Sequence, residues 1–460
     1  QWRGPTGNGV ALQGNPPVEW SEQKNVQWKV RIPGNGHATP VIWEGKIFVL
    51  SAVPAQDSTS KPPSEAPSSP SRSGATSSAD VAFTTYCLDR ETGRILWGKV
   101  ARRAEPHEGH HATNTHSSGS PVTDGEHVFS FFGSRGLFCY DLDGKLIWEK
   151  DLGKMRTKNG FGEGASPTVH GNILIVVWDN EDASLIYAFD KRNGRELWKT
   201  RRDEKTSWST PYVLEFAGKK QVVINATPAV RSYDLDSGQL LWECAGQTAN
   251  AIPSVVADPT TVYAMSGFRG NTAVAIQLGR SGNLTDTDAV RWKITRGTPY
   301  VPSPLLYDGF LYFCQLNNGV LTCVNATNGE PYYAQQRLTG VANVYASPVG
   351  VHNRIYVVGR DGSAVVLEKS PELKILASNK LDDPIDASPA VVGNDLFLRG
   401  HKYLYRITEA PVREDSQKTS EIKLQRSATT TATSAPKPSP GRRTDLSEAF
   451  RKPAPTHLED

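Results

Sequence analysis

The 460-residue chain has no apolar run approaching the ~18 residues that a membrane-spanning helix needs. It also lacks an excess of either charge. The 51 Lys and Arg against 48 Asp and Glu leave +3, which offers no electrostatic footprint for nucleic acid or an anionic surface. Methionine is scarce, and the length rules out a small disulfide scaffold. A phosphate loop is missing as well. The Gly-rich, basic stretch 153–165 ends in no Gly-Lys-Ser/Thr, and no helix is expected after it. What the chain does have is turn formers and aromatics: 40 Gly, 31 Pro, 11 Trp and 15 Tyr, which suit a turn-rich β protein.

Eight prolines each open an apolar strand: Pro40, Pro121, Pro167, Pro211, Pro253, Pro304, Pro348 and Pro389. The last six steps are 46, 44, 42, 51, 44 and 41 residues. The first, 81, is lengthened by a Ser/Pro-rich insertion at 53–80. A period of about 40–45 residues in an all-strand sequence predicts four-stranded blades around an axis. Within each unit the turn before the last strand repeats its wording. Asp89-Arg90-Glu91-Thr92-Gly93 precedes Trp97, Asp190 to Gly194 precedes Trp198, and Asp234 to Gly238 precedes Trp242. Asp bonds its own turn amides, Gly takes the left-handed position, and the Trp is placed to dock on a neighbouring blade. The eighth unit has only three strands. Val26–Val30, with Trp28 placed 12 residues before Pro40, is expected to supply the fourth and close the ring. Trp2, Arg3 and Trp20 are expected to pack outside this closure. The reading is therefore an all-β, eight-bladed propeller over 18–409. Residues 1–17 form an amino-terminal extension, and 410–460 a disordered carboxy-terminal tail.

The Asp-x-x-Thr-Gly-(Arg/Lys)-x-x-Trp wording, whole at Asp89–Trp97, resembles the docking motif of the pyrroloquinoline-quinone (PQQ)-type repeat propellers. That resemblance covers 18–407. It implies either a quinoprotein alcohol or glucose dehydrogenase or a cofactor-free scaffold like the lipoprotein of the outer-membrane barrel-assembly machine. The dehydrogenases carry an adjacent Cys-Cys pair and a Glu–Asn–Asp calcium set. Here the cysteines stand apart, at Cys87, Cys139, Cys244, Cys314 and Cys323, and no such calcium set can be matched. PQQ with calcium is disfavoured, and no cofactor is required by the sequence.

The position three residues before each proline is expected to face the channel mouth. That column reads His37, Ser118, Gly164, Trp208, Asn250, Val301, Tyr345 and Asp386, with His116, Glu163, Arg269 and Tyr300 nearby. From it comes a candidate ligand site of His37, His116, Glu163, Trp208, Asn250, Arg269, Tyr300, Tyr345 and Asp386. One mouth loop contains His107-Glu108-Gly109-His110-His111 followed by His116. Pro106 and Gly109 leave little room for the helix a His-Glu-x-x-His zinc site needs. A looser divalent-metal site drawing on His107, His110, His111 and His116 is the alternative. Cys314 and Cys323 flank Asn318-Gly319 symmetrically. A two-residue hairpin there would set them opposite each other, as a cross-strand disulfide or as two packed thiols.

The sequence thus points to an exported (periplasmic, envelope or extracellular) monomer, a reading that takes Gln1 as a processed start. It would act as a binding or assembly module with a protein or polysaccharide partner at the mouth. The alternative is an enzyme using the mouth's His, Glu, Tyr and Asp, either quinone-dependent or a metal-assisted polysaccharide-acting one.

Overall fold

A computed structural model describes residues 1–54 and 80–409. Eight antiparallel sheets form the blades of a propeller. Blade one runs Val41–Trp43, Lys46–Pro54, Val81–Asp89 and Ile95–Ala104. Blade eight runs Ala390–Val392, Asp395–Arg399 and Tyr403–Ile407, and its outer strand is Val26–Arg31, paired as Val30↔Leu404 and Arg31↔Tyr403. The ring is thus closed by a strand from the other end of the chain, as its sequence implied, and no inter-blade edge is left open. No helix among the described residues is long and apolar enough to cross a membrane.

The docking tryptophans work as the motif suggested. Trp28 Nε1 donates to Arg90 O at 3.1 Å, and Trp97 Nε1 to Leu142 O at 3.1 Å. Trp148 Nε1 reaches Lys191 O at 2.9 Å and Trp198 Nε1 reaches Leu235 O at 3.0 Å, each in the next blade. The turn glycine beneath each ring is needed for space. A Cβ on Gly93, whose φ is +71°, would lie 2.8 Å from the Trp28 ring. Blade four breaks the series. Trp242 is buried and donates to Gln221 Oε1, and an inserted strand, Gly282–Asn283, pairs parallel beside it as a fifth strand.

Two register expectations are corrected. Pro253 is not in the proline column, because blade five's first strand starts at Val256 rather than directly after the proline. Ser254 takes the place that Ser or Thr holds before the other seven prolines. The cysteine pairing also fails. The register is Cys314↔Leu321 and Tyr312↔Cys323, and both thiols are free and buried. The turn is five residues rather than two. Leu316 takes the left-handed region, and Gly319 N–H is drawn away to Ala342 O in the next connection. Asn318-Gly319 therefore never sits at the hairpin tip.

Residues 1–17 also depart from expectation, because they fold into the ring rather than outside it. Arg3 is buried and donates to Pro304 O and Pro348 O, while Asn8 Nδ2 donates to Ala257 O. Gly350 exchanges backbone bonds with Gly9 and Ala11. These contacts span blades five to seven from inside, so the segment packs across one end of the channel; Trp2 lines the central cavity, and residues 1–13 line two further cavities of about 200 and 450 Å³. Trp20 is 3% exposed and stacks on Tyr356 within the core of blades seven and eight. Strands Lys46–Pro54 and Val81–Asp89 pair out to Pro54↔Val81, which narrows the insertion to 55–79. That segment and the 410–460 tail lie outside the described residues.

Candidate functional site

A belt of hydroxyls rings the channel where each first strand begins. Thr39, Ser120, Ser166, Thr210, Ser254, Ser303, Ser347 and Ser388 each occupy the same place in successive blades. Each residue's backbone N–H donates to the next one's hydroxyl oxygen, from Thr39 N→Ser120 Oγ round to Ser388 N→Thr39 Oγ1, at 2.9–3.3 Å. The circle is complete. The proline that follows seven of them has no N–H, so no donor competes at the first strand position. Among the described residues none of the eight O–H protons has a protein acceptor, and all eight residues line the central cavity. The sequence reading found the prolines but not the Ser/Thr before them, although the doublet was legible.

That cavity has a volume of about 340 Å³ and is floored by the belt and Trp2. Its wall is the residue two before each belt member: His37, Ser118, Gly164, Trp208, Ile252, Val301, Tyr345 and Asp386. Seven of the eight are those the sequence placed there. The exception follows from Pro253: Ile252 takes the wall position, and Asn250 is 2% exposed behind it. Tyr300 also lines the wall, stacked on Phe268 at 4.8 Å. Arg269 is not part of the lining and lies 5.4 Å over the Phe268 ring. Trp208 is held by its indole donating to Gly162 O at 2.7 Å.

His116 and Glu163 do not reach the main cavity and instead line small chambers behind it. Burial pushes the Glu163 carboxyl up to about 7, although Ser134 N donates to it at 2.8 Å and Ser134 Oγ donates as well. Burial also pushes His116 down to about 4, edge-on to His110.

The histidine loop is not helical, and it brings His107, Glu108 and Glu163, rather than four histidines, within 4.8 Å of one another. His107 Nδ1 accepts from Arg135 Nη2 at 3.0 Å and its Nε2 donates to Met155 O at 2.7 Å, so both ring nitrogens are engaged within the loops. Glu108 accepts from Thr157 N and Thr157 Oγ1. His111 N–H donates to Phe161 O, and Asn114 Nδ2 reaches Phe161 O at 2.8 Å. Gly162 allows the close approach, since a Cβ there would lie 2.9 Å from His110 Cβ. Loops 105–118 and 151–165 therefore clasp each other into one wall. His110 and His111 are exposed, and His110 meets His116 edge-on at 4.6 Å.

The sector over blade eight differs. Asp386 accepts from Arg360 Nε at 2.6 Å and Nη2 at 3.0 Å, and from His401 Nε2 at 3.0 Å, with His37 Nε2 at 3.5 Å. Arg360 lies 4.2 Å over the Tyr345 ring. Burial works to raise the Asp386 carboxyl, but His401 and Arg360 hold it below the usual carboxylate range. Burial pushes His37 down to about 4. His401 and Arg360 were missed by sequence because they come from central hairpins rather than from the column before the prolines. Those hairpins share the mouth face, which was the signal available.

The quinone and calcium of the dehydrogenases can be tested against this wall. No cysteine lines it, and Cys87, Cys139 and Cys323 instead lie opposite the docking aromatics Trp97, Trp148 and Tyr333. The wall carries one carboxylate, Asp386. A calcium ion needs six to eight oxygens, and this donor set does not fit one.

The fold and belt define an eight-bladed PQQ-repeat propeller. The family model described as "Outer membrane protein assembly factor BamB" matches residues 82–335, more than half of the chain, and the chain belongs to that family. The crystal structure of BamB from Moraxella catarrhalis is similar, with a TM-score of 0.54 and 13% identity, covering 85% of this chain and 98% of that one. Quinohemoprotein alcohol dehydrogenase from Comamonas testosteroni has a TM-score of 0.57 at 11% identity, covering 86% and 79%. A europium-containing methanol dehydrogenase also gives 0.57, at 10% identity, covering 83% and 86%. At such identities the likeness is one of fold. No curated protein matches the sequence.

Proposed function

We propose that this protein is an exported binding module that captures its partner in the funnel, and that the partner group is a saccharide. The observation that carries the reading is the make-up of the cavity. Trp208, Tyr300, Tyr345 and Phe161 offer aromatic faces to a sugar ring, and the belt offers eight hydroxyl donors beneath. Calorimetric titration of the full chain with gluco-, chito- and muro-oligosaccharides tests this. Binding that Trp208→Ala weakens about tenfold or more, as expected for a lost stacking face, supports it. No heat from any of the three classes at millimolar concentration overturns it.

The family match favours a second reading, a protein partner in envelope assembly. A photo-crosslinker placed at Thr113 on the rim would then capture an outer-membrane barrel component, and the saccharides would give no heat.

A further inference from the structure

Three short connections over blade eight bring His37, Asp386 and His401 together, and their ligand-type atoms all lie within 4.8 Å of one another. His37 comes from the connection into blade one and Asp386 from the connection into blade eight. His401 comes from the hairpin between Asp395–Arg399 and Tyr403–Ile407. Both imidazoles turn Nε2 toward the same oxygen, Asp386 Oδ2, at 3.0 Å for His401 and 3.5 Å for His37. Their rings stack at 5.0 Å with planes 22° apart, so the two present matching edges.

Hydrogen bonding accounts for only part of this arrangement. Oδ2 already accepts from Arg360 Nη2 and His401 Nε2, which occupies both of its lone pairs. His37 at 3.5 Å is too far for a good bond, and its ring makes no side-chain hydrogen bond among the described residues. An imidazole with its side chain 14% exposed, aimed at a carboxylate oxygen that has no capacity left for it, calls for another partner. A tetrahedral ion with bonds of about 2.0–2.2 Å holds its ligand atoms roughly 3.4 Å apart. The 3.0 and 3.5 Å separations bracket that spacing.

We propose that His37, His401 and Asp386 bind a divalent transition ion, with Zn²⁺ the best match, the ion taking the place of the proton that His401 Nε2 donates to Asp386 Oδ2, which shifts to His401 Nδ1 or is released to solvent. The side toward the funnel, which His37 and Asp386 line, is left open. Two imidazole nitrogens and one carboxylate oxygen select against Ca²⁺ and Mg²⁺, which require oxygen shells. Arg360 becomes the outer partner that orients the carboxylate, the role such groups play around metal ligands. The site does not depend on what the funnel holds.

Chelator-stripped full-length protein is titrated with Zn²⁺ by calorimetry and with Co²⁺ by visible absorption. One equivalent of Zn²⁺ is expected. His37→Ala and His401→Ala should each weaken it by about a hundredfold, at or above the loss seen when even outer-shell partners are removed. His352→Ala, on an exposed turn, should change it less than threefold. Thermal melts of each variant check folding. The Co²⁺ spectrum of the unmutated chain, with intense four-coordinate bands expected, decides the question even if a variant misfolds. Absence of those bands, substoichiometric Zn²⁺, or binding that both variants leave within threefold overturns the proposal.

Discussion

The two sides of the funnel rim invest their histidines differently. Over blades one to three the connections are long and carry four histidines, yet this sector is built of side chains bonded to one another. His107 is spent on Arg135 and Met155, and Glu108 on Thr157. Over blade eight the connections are short and hold two histidines, and there one carboxylate carries Arg360, His401 and the approach of His37. Density of polar residues marks where a loop has to hold itself up. A surplus of donors around one buried acceptor marks where the proposed ion would sit. The comparison predicts that the long-loop histidine is structural and the blade-eight histidine dispensable for folding, and it can be broken by stability measurements.

The largest effect is expected at Arg360. Asp386 is buried, and Arg360→Met removes its bidentate partner while His401 remains. Stranding a buried carboxylate costs several kcal/mol, and with one partner kept we expect about 3 kcal/mol. Urea denaturation of chelator-treated protein at pH 7 measures this. A loss below about 1 kcal/mol would show the blade-eight sector to be no more than surface charge.

Much of the fold was legible because it repeats. Eight strand openings, three Asp-to-Gly turns with their tryptophans and one missing strand are signals that reinforce each other, and the ring, its closure and seven of eight wall positions follow from them. The failures are local departures from the repeat. Pro253 lies ahead of its blade's first strand, so Asn250 was assigned a place that Ile252 fills. Asn318-Gly319 looked like a hairpin tip until its amide was drawn into the next connection. Side-chain pairing was the least readable. That His107 is bonded at both nitrogens and His401 reaches Asp386 depends on which loops meet, and spacing does not encode that. The insertion of residues 1–17 into the channel had no periodic signature.

Glu163 comes next, and its effect depends on pH. It packs beside Ser134, with Glu108, Arg135 and His116 around the same chamber. Its folded-state value is about 7, against an ordinary 4.5. Between those values the unfolded chain releases its proton first, so stability falls as pH climbs through the window and levels off above about pH 7. Glu163→Gln removes that loss. We expect the variant to be about 2 kcal/mol more stable than the parent at pH 8, and no more stable at pH 4.5. Equal offsets at both pH values in urea titrations would exclude a buried, late-titrating carboxyl.

His107 and His37 then set the two sectors directly against each other. His107→Ala strips a donor from Met155 O and an acceptor from Arg135, which keeps Glu105 O at 3.0 Å. Two half-buried bonds of this kind are worth about 1–1.5 kcal/mol together. His37→Ala removes a ring that makes no side-chain hydrogen bond and that burial keeps neutral at pH 7. The expected change is within about 0.5 kcal/mol, the ordinary range for a site outside the core. Parallel urea titrations of metal-free protein give the ranking. If His37→Ala costs as much as His107→Ala, the two sectors are equally structural, and the surplus of donors around Asp386 belongs to folding rather than to a ligand.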